Sequence, residues 1–172
     1  MANQVFEAVR TVLAVREYQD REIPADVLDR IVDAGHLSAS SMNRQPWHFV
    51  VVRDREALRA LGRMVKTGPY IASAAAAIVV AYERESMFGV SDASRAVQSM
   101  ILTAWAEGVG SNWTGFRGLE DVRKHVGLPD SYDVLTVVPF GYPSQAIGRG
   151  VKKRRPLGEV ASAERFGTPY VP

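Results

Sequence analysis

The stretch Ser40-Ser41-Met42-Asn43-Arg44-Gln45-Pro46-Trp47-His48-Phe49-Val50-Val51-Val52-Arg53 changes character at its midpoint. Its first half crowds hydroxyls, amides and a guanidinium into one segment, continuing a polar run that begins at Ser38 and reads as irregular loop. Its second half, from Trp47 to Arg53, reads as a strand because β-branched and aromatic residues dominate it. Pro46 fixes the loop exit, and Trp47 and Phe49 are positioned to anchor the strand. A polar loop ahead of a strand is common, so these residues alone leave open a ligand role and a plain connection.

Reading toward the N-terminus, Ile23-Pro24 opens a helix over about 24–37, with Val27, Leu28 and Ile31 on its buried face. Asn3 can cap a first helix over roughly 4–14, with Val5, Phe6, Val9, Val12 and Leu13 on its apolar side. Reading toward the C-terminus, Asp54 can cap a third helix carrying Leu58, Leu61 and Val65. Ala77 to Tyr82 is a short, continuously apolar strand, which predicts a central position. From Asp92 to Glu107 the residues Ala93, Ala96, Val97, Met100, Ile101, Ala104 and Trp105 recur at helical spacing, and Gly108 stops the run. A short strand follows at Val109–Trp113, then a helix marked by Leu119, Val122 and Val126, then a strand over Tyr132–Phe140. Helices and strands mix without a βαβ rhythm, which favours an α+β fold over a doubly wound sheet. The tail after about Val151 is basic, then weakly patterned. Phe166 and Tyr170 suit packing on another subunit as well as they suit a frayed end.

The chain has 172 residues, 47% of them hydrophobic and 23% charged, the balance of one ordinary globular domain. It has no cysteine, which excludes disulfides, a thiolate nucleophile and thiolate metal ligation. No apolar run is long enough to span a bilayer, and the N-terminus lacks the layout of a signal peptide, so the cytoplasm is the expected compartment. The net charge is only +2, and the one basic cluster is Lys152-Lys153-Arg154-Arg155. A cluster that short suits a single phosphate or a solvated face better than a nucleic-acid partner. His36, His48 and His125 form no metal-binding spacing, and no nucleophile elbow or phosphate-loop motif is present. An enzyme without an evident acid, base, nucleophile or metal can take its reactivity from a cofactor.

The segment Ser40-Ser41-Met42-Asn43-Arg44-Gln45-Pro46-Trp47 resembles the signature of the nitroreductase family. Val15-Arg16-Glu17-Tyr18 followed by Ile23-Pro24 is similar to that family's N-terminal motif. Gly108-Val109-Gly110-Ser111-Asn112-Trp113-Thr114-Gly115-Phe116 is similar to its glycine-rich segment. Gly141-Tyr142-Pro143 and Lys152-Lys153-Arg154-Arg155-Pro156-Leu157 look like its C-terminal features.

This resemblance implies a mixed, mostly antiparallel sheet wrapped by helices, in an interlocked homodimer with FMN at the subunit interface. It implies that the single domain's tail, about 151–172, extends onto the partner. Ser40, Ser41, Asn43 and Gln45 would belong to the FMN site, with the serines and Asn43 reaching across from the neighbouring subunit. Thr114 and Gly115 would lie by the reactive ring nitrogen through backbone groups. Lys152 and Arg154 would hold the phosphate, and Arg16 would meet the pyrimidine side or the ribityl-phosphate end. The implied activity is a two-step oxidoreductase, taking electrons from NADH or NADPH and giving them to an electron-poor small molecule such as a nitroaromatic or quinone. One departure stands out: the family carries Arg-Arg-Ser where this chain has Val12-Leu13-Ala14, leaving Arg10 as the nearby substitute. That departure keeps two alternatives open, a flavin-binding or storage protein without turnover and a deazaflavin-linked reductase.

Overall fold

The computed structural model describes residues 3–146 and 152–170. Four strands form one sheet in the order β1-β2-β4-β3: β1 is Trp47–Val52, β2 Ala76–Glu83, β3 Gly110–Ser111 and β4 Tyr132–Gly141. Every ladder among the described residues is antiparallel, and the one parallel pairing among them is an isolated bridge between Ala14 and Ser111. The α+β expectation holds, and β2 is interior as its unbroken apolar run predicts. Successive β2 residues serve opposite faces. Ile78 and Val80 join one core with helices α2 (Ala25–His36) and α4 (Gly89–Ala106). Ala77, Val79 and Ala81 join a second core with α3 (Arg55–Met64) and Val122 of α5 (Glu120–His125). A strand buried on both sides shows no alternation in sequence. β1 ends the sheet, and its outer edge has no backbone partner among the described residues.

Helix α1 covers only Gln4–Thr11, capped by the Asn3 side chain as expected. It stops short of residue 14 because the following residues are drawn to the sheet edge, where the Val15 amide donates to the Ser111 carbonyl at 2.9 Å. Its apolar side is not buried within one chain, since Val5 is 70% and Phe6 61% exposed. Helix α4 begins at Gly89, three residues before the predicted start, and the strand predicted at Val109–Trp113 shrinks to Gly110–Ser111. Two short 3-10 turns, Pro69–Ser73 and Leu157–Glu159, have no counterpart in the sequence reading. Val151, Val171 and Pro172 of the predicted tail lie outside the described residues. No helix among the described residues is long and apolar enough to cross a membrane.

The approach of the Val15 segment to β3 depends on Gly110. A Cβ at this position would stand 2.4 Å from Val15 Cγ2 and 2.7 Å from Val15 Cβ, and a β-branched side chain has little rotamer freedom with which to yield. Gly110→Ala is therefore expected to destabilise the fold by about 1–3 kcal/mol. At Gly35 the added methyl would meet the Met100 Cε at 2.0 Å, but that is the free end of an unbranched chain. Gly35→Ala is expected to cost less, and urea melts of the two variants compare them directly.

Candidate functional site

The loop from Ser40 to Pro46 is held in a conformation its residues do not favour. Met42, Asn43 and Gln45 have φ of 54°, 54° and 52°. Asparagine tolerates the left-handed region, but for methionine and glutamine it costs roughly 1 kcal/mol or more each. Two attachments hold the loop. The Ser41 amide donates to Asp92 Oδ2 at 2.9 Å, and its hydroxyl donates to Asp92 Oδ1 at 3.2 Å. Asp92 lies in the first turn of α4 and is fully buried, with Arg95 adding a bond to Oδ1 at 3.0 Å. At the loop exit, buried Pro46 accepts from the Glu83 amide at 2.8 Å. Inside the loop the Gln45 amide donates to Ser40 Oγ at 3.0 Å, and Gln45 Nε2 donates to the Asn43 carbonyl at 3.0 Å and to its Oδ1 at 3.3 Å. Among the described residues this leaves the Ser40 hydroxyl hydrogen, Asn43 Nδ2 and Gln45 Oε1 unspent.

A second group of polar atoms gathers around Thr114. Its amide and carbonyl pair with Val137 of β4 at 3.3 and 2.9 Å, and the Thr136 hydroxyl donates to the same carbonyl at 2.7 Å. The Thr67 hydroxyl sits 3.1 Å from Thr114 Oγ1 and accepts from the Gly115 amide at 3.1 Å. Both backbone donors expected to face a ligand are therefore engaged within the chain. Gly115 has φ of +78°, a conformation open to glycine without strain. Asn112 bonds through Nδ2 to the Tyr70 hydroxyl. Nothing in the sequence marks Thr67 or Tyr70, and Asn112 enters only as part of the glycine-rich segment. Thr67 precedes and Tyr70 lies within the 3-10 turn at Pro69–Ser73, and both meet the segment that follows β3.

Tyr18 lies beside this group, its hydroxyl donating to the Val15 carbonyl at 2.8 Å. Burial pushes its phenol well up from the usual tyrosine range; Tyr70 adds to the rise and Arg16 opposes it. A folded-state value above the unfolded one means that the native chain holds its proton longer. The associated stability is complete below about pH 10, where the unfolded phenol is still protonated, and is lost progressively at higher pH. Urea midpoints are thus expected to fall above about pH 10, and Tyr18→Phe to flatten that slope.

The basic residues do not act as one group. Arg16 is exposed and makes no ion pair among the described residues. Lys152 donates to the Val9 carbonyl in the last turns of α1, a favourable place for a cation. Desolvation, then the charge of Arg154, lowers its pKa. Arg154 is exposed and, among the described residues, hydrogen-bonds only the carbonyl of Lys153. Arg10, the candidate substitute for the missing arginines, pairs with Glu7 at 2.7 Å. No hydrogen bond or ion pair among the described residues joins the loop at Ser40–Gln45 to Thr114, Gly115 or Arg16.

A profile described as Nitroreductase family matches residues 10–89 and 62–142. A Methanothermobacter thermautotrophicus protein, provisionally named NADH dehydrogenase/NAD(P)H nitroreductase, is 37% identical over 152 residues, 84% of this chain and 80% of its own length. A Parabacteroides distasonis crystal structure under the same provisional name superposes with a TM-score of 0.87 at 30% identity, covering 96% of this chain and all of the other. A Desulfovibrio desulfuricans structure, described as a nitroreductase in complex with FMN, gives a TM-score of 0.82 at 28% identity, covering 96% and 99% of the two chains.

Proposed function

This chain belongs to the nitroreductase family, and on that premise we propose that it is an FMN-dependent oxidoreductase using NADH or NADPH. The observation that carries the reading is the Ser40–Gln45 loop. It is held in a strained form while the Ser40 hydroxyl hydrogen, Asn43 Nδ2 and Gln45 Oε1 have no partner among the described residues. Donors and an acceptor fixed together in this way suit the polar edge of a flavin, as a preorganised site requires. Arg16 supplies an unpaired cation for the ring's pyrimidine side or for the ribityl-phosphate end, and Arg154 one for the phosphate. Lys152 spends one of its three ammonium donors on the Val9 carbonyl and keeps two for a phosphate.

When bound, FMN supplies the two-electron chemistry, accepting hydride from the nicotinamide and passing electrons to an electron-poor acceptor such as a nitroaromatic or quinone. The protein's own part is binding, orientation and electrostatics. Thr114, with its carbonyl and amide pinned to β4, gives Gly115 a rigid backbone placement. The Thr67 hydroxyl accepts from the Gly115 amide and adds to that placement.

We also propose that two copies assemble, each site drawing the Ser40–Gln45 loop from one chain and Arg16, Thr114 and Gly115 from the other. That no hydrogen bond or ion pair among the described residues joins these groups supports this, as do the exposed apolar residues of α1 and Phe166 in the tail. Light scattering after gel filtration tests it, and a monomer at all concentrations refutes it.

The activity is tested by the absorbance of the purified protein. Flavin bands near one per chain, bleached anaerobically by NADH or NADPH and restored by a nitroaromatic, are the expected result. Colourless protein that takes up no added FMN overturns the reading. A second reading, flavin binding without turnover, draws on the absent Arg-Arg-Ser and on the engagement of Arg10 with Glu7. It is distinguished by flavin bands that neither nicotinamide bleaches. Uptake of a deazaflavin in preference to FMN would instead identify a deazaflavin-linked reductase.

A further inference from the structure

We propose that Asp92 is a positioning residue for the flavin site, turning Ser41 inward as a latch so that Ser40 and Asn43 are the ligand-facing residues of the loop. This rests on the reading that the chain binds FMN. A carboxylate with no solvent contact is tolerated only when its oxygens are filled by donors. Asp92 is fully buried, and two of its three donors are the amide and hydroxyl of one residue, Ser41, 51 positions away in sequence. The third is Arg95, whose side chain is 55% exposed and balances the charge from the solvent side. Asp92 sits in the first turn of α4 but is not its N-cap, and that end has no side-chain cap.

The latch matters because the loop does not favour its own shape. Three residues with positive φ lie within four positions, and other loop conformations become accessible once Ser41 is released. A site competent only in a fraction of molecules binds its ligand more weakly by that fraction. Because Ser41 spends both its amide and its hydroxyl hydrogen on Asp92, it has no donor left for a ligand. Ser40 keeps its hydroxyl hydrogen and Asn43 its amide hydrogens. This divides the role that resemblance assigns jointly to Ser40, Ser41 and Asn43.

The test uses the full chain stripped of flavin and titrated with FMN by fluorescence quenching, with urea midpoints taken in parallel. Asp92→Ala is expected to weaken FMN binding about ten- to hundredfold. Asp92→Asn should recover part of the loss, because its amide oxygen can still accept from the Ser41 amide. Ser41→Ala should weaken binding several-fold, and Ser41→Ala with Asp92→Ala should be no worse than Asp92→Ala alone, since both remove one shared interaction. Ser40→Ala should instead add its loss to that of Asp92→Ala. A role confined to stability would lower the urea midpoint and leave FMN affinity at 25 °C unmoved. FMN affinities within about twofold of the parent for folded Asp92→Ala, or full additivity with Ser41→Ala, overturn the proposal. If Asp92→Ala does not fold, Ser41→Ala decides: unchanged affinity overturns the proposal, and weakened affinity at an unchanged urea midpoint supports it. A parent chain that binds no FMN overturns the flavin reading itself, and the proposal with it.

Discussion

Changing Arg16 to glutamate is expected to weaken FMN binding about a hundredfold or more while leaving the urea midpoint nearly unmoved. The two halves of that expectation have separate causes. The backbone at Arg16 is fixed, because buried Val15 is bonded to Ser111 and packed against Gly110. The Arg16 side chain is exposed and makes no ion pair among the described residues, so its reversal breaks no pairing there. Against an anionic ligand the same change removes charge-assisted hydrogen bonds and installs a like charge. Arg16→Lys keeps the charge but not the fork of donors and should fall between. Titration of flavin-free protein with FMN measures all three chains. An unchanged affinity in Arg16→Glu would remove Arg16 from the site.

Truncating Phe140 to alanine is expected to cost about 3–5 kcal/mol of folding stability. Phe140 is fully buried, pairs with Ala76 of β2 on one side and with Ser111 of β3 on the other, and packs in the core beneath α2 and α4. Such a loss is a large fraction of the roughly 5–15 kcal/mol that holds an ordinary domain together. Urea unfolding of the flavin-free variant should show a much lower midpoint at unchanged slope. Excess FMN should raise that midpoint again, because a ligand of the native state stabilises it by mass action.

Much of this fold can be read in the sequence where a pattern is long. The stripe from Ala93 to Trp105 and the apolar run of β2 identify α4 and the central strand because burial repeats over many residues. The loop at Ser40–Gln45 is identifiable by its composition, though not how it is held. Asp92 reads as a helix-opening acid, yet it stands four and eight positions before Ala96 and Met100, on the stripe that becomes buried. A carboxylate on that stripe is the signal that a partner must arrive from elsewhere. Thr67 and Tyr70 carry no such mark, because they lie before and within a 3-10 turn rather than on a periodic element, and meet Thr114 and Asn112 in the segment after β3. The contiguous basic run suggests a common ligand, but neighbours along a chain need not share one. Lys152 turns to the carbonyl of Val9 while Arg154 stays in solvent.

The outer edge of β1, which has no backbone partner among the described residues, bears on how the protein is handled. Trp47–Val52 is a six-residue strand with no proline and no acidic or basic group apart from His48. Segments of that kind act as templates on which other chains stack. Heat that loosens the sheet exposes this hexapeptide, so clumping should outrun refolding. Thermal scans then report a rate set by concentration and heating speed rather than an equilibrium, whereas urea, which keeps the opened chain dissolved, gives the reversible measurement.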